Sequence, residues 1–216
     1  MTTDRRPYRR ESEESRRDAL ISAALELVAE GGPQAATIRA IAERAGVTPG
    51  LIRHYFTTKD ELTRTAYGYL MDRMTNSSAE VLQSAPDNPA SRLAVFVAAS
   101  LNPPIVDPLQ LGLWAGFLHG MRRDPSMRLV HAERYYAYRD LLQSLIAALP
   151  RVATEAKLRA DAIACNAVID GLWLEGSALP EGFASGELEH IGMTAVGAIL
   201  GIDLMSALPG ATGELT

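Results

Sequence analysis

Apolar residues return every three or four positions along almost the whole chain, and no stretch alternates apolar with polar residues long enough to make a convincing strand. From about Arg16 to Glu30, Leu20, Ile21, Ala24, Leu27 and Val28 fall on one helical face. Gly31-Gly32-Pro33 stops that helix. Thr37 is a good N-cap for a second, which carries Ile38, Ile41, Ala42 and Ala45 on one face and ends at Gly46. Thr48 opens a third, with Pro49 at its first position, where proline's missing N–H costs nothing; it runs to about Tyr55. Thr58 opens a fourth, Glu61 completing a capping box, and that helix continues to about Leu82. Beyond Pro86–Pro89, helical patterns cover about 90–101, 109–123, 125–149, 153–175 and 184–204, with an irregular connection at Pro103-Pro104. The expected fold is all-α: an N-terminal three-helix head, a linking helix and a larger helical body.

The stretch "AERAGVTPGLIRHYFTTKDEL", residues 42–62, departs from a plain core pattern. A short helix, a tight turn at Gly46-Val47 and a second short helix make the helix-turn-helix plan. Ile41, Ala42 and Ala45 can pack on Leu51, Ile52 and Phe56, and a glycine in the turn lets the two helices cross steeply. The outer face of the second helix then holds Thr48, Pro49, Gly50, Arg53, His54 and Tyr55. Small residues at its start permit close approach to base edges, and Arg53 can donate two hydrogen bonds to a guanine. Thr48, His54, Tyr55 and Lys59 can reach phosphates, which fix register without reading sequence. Phe56 is read as core.

Charge sharpens this picture. The net charge of −5 argues against nucleic acid only as a sum. Residues 1–64 hold 11 Lys+Arg and 10 Asp+Glu, a net of +1, while the remainder holds 10 and 16, a net of −6. The segment "ALELVAEGGPQAATIRAIAERAGVTPGLIRHYFTTKDEL" resembles the DNA-binding domain of TetR-family transcriptional regulators, through Gly31-Gly32, Thr37-Ile38, Ala45-Gly46-Val47, Gly50 and the Tyr55-Phe56…Lys59…Leu62 ending. The resemblance implies a helical ligand-binding and dimerisation body behind the head, and release from DNA when a small molecule binds. Carried over by position, Thr37, Thr48, His54, Tyr55 and Lys59 would be phosphate contacts, and Pro49, Gly50 and Arg53 would face bases. The expected organisation is a disordered tail at 1–14, a helix-turn-helix domain at 15–62, a ligand-binding and dimerisation domain at 63–206 and a flexible tail at 207–216. Arg5, Arg6, Arg9 and Arg10 are read as part of a solvated tail rather than as an arm for a minor groove.

In the body, "AVIDGLWLEGSALP" (167–180) and "LWAGFLHGMRRDP" (113–125) resemble the BetI-like branch of the same family, whose best-known members respond to choline. Asn166, Asp170 and Trp173 share one helix face, and Trp114, Phe117 and Met121 share another. If the two faces meet, an aromatic-lined cavity with one carboxylate results, a box suited to a quaternary ammonium. Two readings stand for each face: pocket lining, or ordinary core, with Asp170 a cap or an interface partner. The last helix presents Leu188, Ile191, Ala195, Ala198, Ile199 and Ile202 as a broad stripe, with Gly192, Gly197 and Gly201 as small surfaces for close approach by a second copy. A twofold homodimer would place two recognition helices on successive major grooves of a near-palindromic double-stranded operator.

Catalysis finds no support here. His54, His119, His131 and His190 are scattered, no metal-ligand spacing occurs, and no glycine-rich phosphate loop follows a strand. The single cysteine, Cys165, sits in an apolar helix and excludes an internal disulfide. No cofactor or metal is expected. With no signal peptide and no membrane-length apolar run, a cytoplasmic protein is expected, with DNA, a small molecule and a second copy as partners. A DNA-binding factor of the same fold without an effector is the alternative.

Overall fold

The computed structural model describes residues 6–208 apart from Arg123, with side chains from Glu13 onward except that of His119. Among the described residues there are nine α-helices and no strand: α1 (Arg6–Gly31), α2 (Ile38–Arg44), α3 (Pro49–Tyr55), α4 (Lys59–Glu80), α5 (Pro89–Ser100), α6 (Pro108–Met121), α7 (Pro125–Ala147), α8 (Glu155–Ala178) and α9 (Glu187–Leu200). None is long and apolar enough to cross a membrane. The chain divides into two compact units, Met1–Leu70 with Gly112–His131, and Met71–Leu111 with Ala132–Thr216. The first therefore draws in a stretch expected to belong wholly to the body.

In the first unit, α1 buries Leu20, Ile21, Ala24, Leu27 and Val28, the stripe read from the sequence. It ends as expected at the glycines: Gly32 takes φ 72°, and its N–H donates to the Val28 carbonyl at 2.8 Å. Its start does not match expectation. The helix begins at Arg6, inside the stretch read as a disordered tail, while residues 1–5 lie outside the described residues. Arginine and glutamate are strong helix formers, and Arg9–Glu13 and Arg10–Glu14 stand at i, i+4, so the polar composition that suggested a tail also suits an exposed helix.

Tertiary contacts in this unit come from far along the chain. Gly116 of α6 lies so close to α1 that a Cβ there would stand 3.4 Å from Val28 Cγ1 and 3.5 Å from Pro33 Cδ. Phe117, 2% exposed, packs on the fully buried Tyr67 of α4, ring centroids 5.1 Å apart. The Tyr67 hydroxyl and His131 Nδ1 are 2.7 Å apart, and burial lowers the imidazole's pKa. Arg64 pairs with Asp124 at 3.0 Å, tying α4 to the corner between α6 and α7.

The second unit is built on one cluster in which Phe96 and Leu93 of α5, Leu142 and Ile146 of α7, and Ile169 of α8 are almost fully buried, with Met193 and Val196 of α9 against them. α9 departs from expectation. It stops at Leu200, capped by Gly201 in the left-handed region at φ 70°, so Ile202 lies past the helix. Its glycines serve this chain rather than a second copy. A Cβ on Gly192 would stand 2.1 Å from Leu101 Cδ1, and one on Gly197 would stand 2.6 Å from the Ile202 carbonyl oxygen. Residues 207 and 208 also belong to the packed unit, Ala207 in a 3-10 turn and Leu208 against the core, whereas 209–216, the rest of the expected tail, lie outside the described residues.

Asp161 is the buried charge that this unit tolerates. It accepts from Arg151 Nη2 at 2.6 Å and from Lys157 Nζ, its i−4 neighbour on α8. Burial alone would raise its pKa, but the hydrogen bonds from Lys157 and Arg151 outweigh it and the net shift is downward. A depressed folded pKa contributes stability that is present above the unfolded carboxylate pKa and is lost as pH falls through the folded value. Asp161→Asn is expected to cost about 1–2 kcal/mol at neutral pH and to flatten the acid side of the stability curve. Urea midpoints between pH 7 and pH 3 check this; parallel curves for the two proteins would contradict it.

Candidate nucleic-acid interface

The helix-turn-helix is assembled by local signals. Thr37 caps α2, its Oγ1 accepting the Ala40 N–H at 3.1 Å. The turn closes through Gly46 at φ 65°, with the Val47 N–H donating to the Ala42 carbonyl at 2.9 Å, a conformation that a side chain at 46 would strain. Thr48 then takes an extended backbone (φ −82°, ψ 149°) and starts α3, but its hydroxyl makes no capping bond. After α3, Thr58 Oγ1 accepts the Glu61 N–H at 3.1 Å, while Glu61 Oε2 accepts from Thr57 at 2.8 Å. The expected capping box is present, with its return bond moved one residue earlier.

α3 has two distinct sides. Ile52, 1% exposed, and Phe56, 2% exposed, face inward with half-buried Leu51. Thr48, Pro49, Gly50, Arg53 and His54 are exposed, and Tyr55 and Lys59 are half-buried at the end nearest α4. Tyr55 is set edge-on to His54, ring centroids 5.2 Å apart. α3 itself carries no carboxylate. A Cβ at Gly50 would find only Thr48 Oγ1, at 3.8 Å, so the chain's own packing does not demand glycine there. Thr37 is exposed and, while accepting the capping bond, keeps its O–H to donate. All eight residues singled out from the sequence therefore belong to the first unit, and none has its polar group sealed in the core.

The six ligand candidates are divided between the two units. Trp114, Phe117 and Met121 fall in the first and Asn166, Asp170 and Trp173 in the second. Phe117 and Met121 are buried in the first unit, Phe117 against Tyr67. In the second, Asn166 Nδ2 donates to Asp170 Oδ2 at 2.8 Å and to the Tyr135 hydroxyl at 2.6 Å, and that hydroxyl donates to the same carboxylate at 3.2 Å. Desolvation by surrounding atoms raises the pKa of Asp170. Trp173, 7% exposed, donates its indole N–H to the Ile105 carbonyl at 2.8 Å. An open groove of about 450 Å³ in the first unit is bordered by Asp60, Thr63, Arg64, Gly120, Asp124 and Met127, none of them a ligand candidate. Sequence reasoning missed the Tyr67–His131 and Arg64–Asp124 pairs, whose partners lie sixty or more positions apart, beyond any helical spacing. Cys165 is buried, which pushes its thiol up to about 12 and leaves it unreactive.

An exposed, acid-free second helix behind a capped first one is a helix-turn-helix of the kind that presents its second helix to a major groove. Residues 20–66 match the family described as bacterial regulatory proteins, tetR family, and residues 89–201 match the BetI-type transcriptional repressor C-terminal family. The HTH-type transcriptional regulator BetI of Serratia proteamaculans (strain 568) is 35% identical over 183 residues, covering 83% of this chain and 88% of that protein. The BetI of Burkholderia lata is 32% identical over 165 residues, 76% and 83% of the two chains. A crystal structure of a candidate transcriptional regulator from Pseudomonas aeruginosa PAO1 superimposes with a TM-score of 0.79 at 30% identity, covering 88% of this chain and 92% of the other. The chain belongs to the TetR family of transcriptional regulators, in its BetI-type branch.

Proposed function

We propose that this regulator is a cytoplasmic homodimeric repressor that grips a near-palindromic operator through α3 and leaves it when a small molecule binds. The carrying observation is the exposed outer side of α3, with Arg53 and His54 outward and Ile52 and Phe56 inward. On this reading Pro49, Gly50 and Arg53 meet base edges, and Thr37, Thr48, His54, Tyr55 and Lys59 hold phosphates. Support for a second copy comes from exposed apolar side chains on the last two helices, Ile163 and Leu174 of α8 and Ile191 of α9. A twofold pair would set its recognition helices about 34–36 Å apart, one turn of duplex.

Selection from random duplexes tests the reading. Enriched sequences should carry two inverted half-sites with centres about one helical turn apart. Enrichment of a single half-site, or of none, would count against the dimeric operator reading.

For the effector, Trp114, Phe117 and Met121 of the first unit and Asn166, Asp170 and Trp173 of the second remain separate proposed contact sets, and a choline-type cation the first ligand to try. A thermal-shift screen with choline, betaine and hydrophobic amines is the direct assay, since a ligand that binds only the folded state raises its melting temperature. Trp173→Phe keeps an aromatic ring, a smaller one, and removes the donor to Ile105. It should shift the effector midpoint several-fold and leave DNA affinity without effector unchanged; an unchanged midpoint removes Trp173 from the pocket. One observation favours a second role for Asp170: it is exposed and shares its face of α8 with Ile163, Ala167 and Leu174, all exposed. There it would pair across the dimer, and Asp170→Asn would weaken dimerisation rather than effector binding.

A further inference from the structure

α1 is longer than its core requires. Every side chain from Glu13 to Ala19 is exposed, and burial begins only at Leu20. At least two turns of helix thus extend beyond the packed part of the first unit. One residue of that extension touches the helix-turn-helix: the guanidinium carbon of Arg17 lies 5.3 Å from the centre of the Phe56 ring. Phe56 caps the C-terminal end of α3, directly after Tyr55 and three residues before Lys59. The cation therefore stands at the α3–α4 corner.

Like Arg53 and Arg139, Arg17 is not among the arginines that carboxylates hold in ion pairs. Arg44 is held by Glu26 and Glu30, Arg64 by Asp124, Arg134 by Asp72 and Glu133, and Arg151 by Asp161. No carboxylate of the described residues forms an ion pair with Arg17, although Glu13, Glu14 and Asp18 are near in sequence. A cation over an aromatic face is attracted to it without using its five N–H donors. An exposed planar cation held in place with its donors unspent suits a phosphodiester, which accepts bidentate donation from arginine.

We propose that Arg17 is an additional clamp on the DNA backbone, binding a phosphate at the edge of the half-site that α3 reads. This rests on the reading that α3 enters the major groove.

The test measures affinity for the selected operator at several salt concentrations, using the full chain. Arg17→Met keeps an unbranched stem over Phe56 and removes the charge and the donors. It should lower affinity about three- to tenfold near physiological salt and reduce the log–log salt slope by roughly one unit per protomer bound, with the melting temperature unchanged. Arg17→Lys keeps the charge and should retain most of the slope while losing part of the affinity. Phosphate ethylation interference should show flanking positions that matter for the parent protein and not for Arg17→Met. An Arg17→Met protein with unaltered affinity, slope and interference pattern overturns the clamp, as does a loss of affinity with the slope intact and melting lowered, which would make Arg17 a packing residue only. Arg53→Ala is run in parallel. If Arg53→Ala also leaves binding to the selected operator unchanged, the reading of α3 falls together with the clamp; if only Arg17→Met is silent, the clamp alone falls.

Discussion

Phe56→Ala is expected to cost about 3–5 kcal/mol in the unit that carries the helix-turn-helix, and with it all operator binding. The ring is 2% exposed, at the point where α3 ends and the chain turns toward α4. Its backbone N–H closes the last turn of α3 on the Ile52 carbonyl at 2.8 Å, and its ring lies beneath Arg17. α3 has only seven residues, too few to be stable in isolation, so its position depends on what Ile52 and Phe56 bury. Removing the ring leaves a cavity under a helix with little else to hold it. In a unit of this size the loss should lower the melting temperature by more than about ten degrees. Phe56→Leu, which refills most of the space, should keep most of the stability. Calorimetry together with fluorescence anisotropy on a selected duplex measures both effects; a Phe56→Ala protein that melts like its parent and still binds would show that α3 is held by something else.

Arg53→Ala should have the second-largest effect, and a different signature. The side chain is exposed in the last turn of α3 and stabilises nothing that the structure shows, so folding should be unchanged. A bidentate contact to guanine is worth about 1–3 kcal/mol of discrimination, which predicts roughly a 5- to 150-fold loss for each half-site of the selected operator. Affinity for unrelated duplex should change little, because phosphate contacts carry that binding. Comparing the two duplexes at one salt concentration decides the role: equal losses on both would make Arg53 a backbone contact. Re-selection with the variant should show relaxed preference at a single position of each half-site.

These expectations could be drawn from the sequence because the helix-turn-helix is written in local code. Thr37, Gly46, Pro49 and Thr58 each set a cap or a turn within four residues of themselves, and the structure uses each of them so. The same locality made most helix boundaries legible. What it hid is of two kinds. The first is polar helix with no burial to mark it. The start of α1 resembles a tail because no apolar stripe is there to show periodicity, while helix propensity acts without one. The second is the partner of a surface. Gly192 and Gly197 are sites of close approach, but one spacing pattern fits either a second copy or Leu101 and Ile202 of the same chain, and the approach found is to the same chain. For the ligand candidates, helical spacing placed Asn166 and Asp170 side by side, where they are hydrogen-bonded. It could not assign Phe117 and Asn166 to different compact units, because that follows from long-range packing.

The inclusion of Gly112–His131 in the first unit bears on how this protein can be cut and recombined. A chimera joined after Leu70 would import the reader without Phe117, whose ring covers Tyr67, and without Asp124 and His131, which satisfy Arg64 and the Tyr67 hydroxyl. The transplanted head would carry an uncovered tyrosine and an unpaired arginine. A working graft must take two segments of chain, or supply compatible side chains in the host at the positions facing Arg64 and Tyr67.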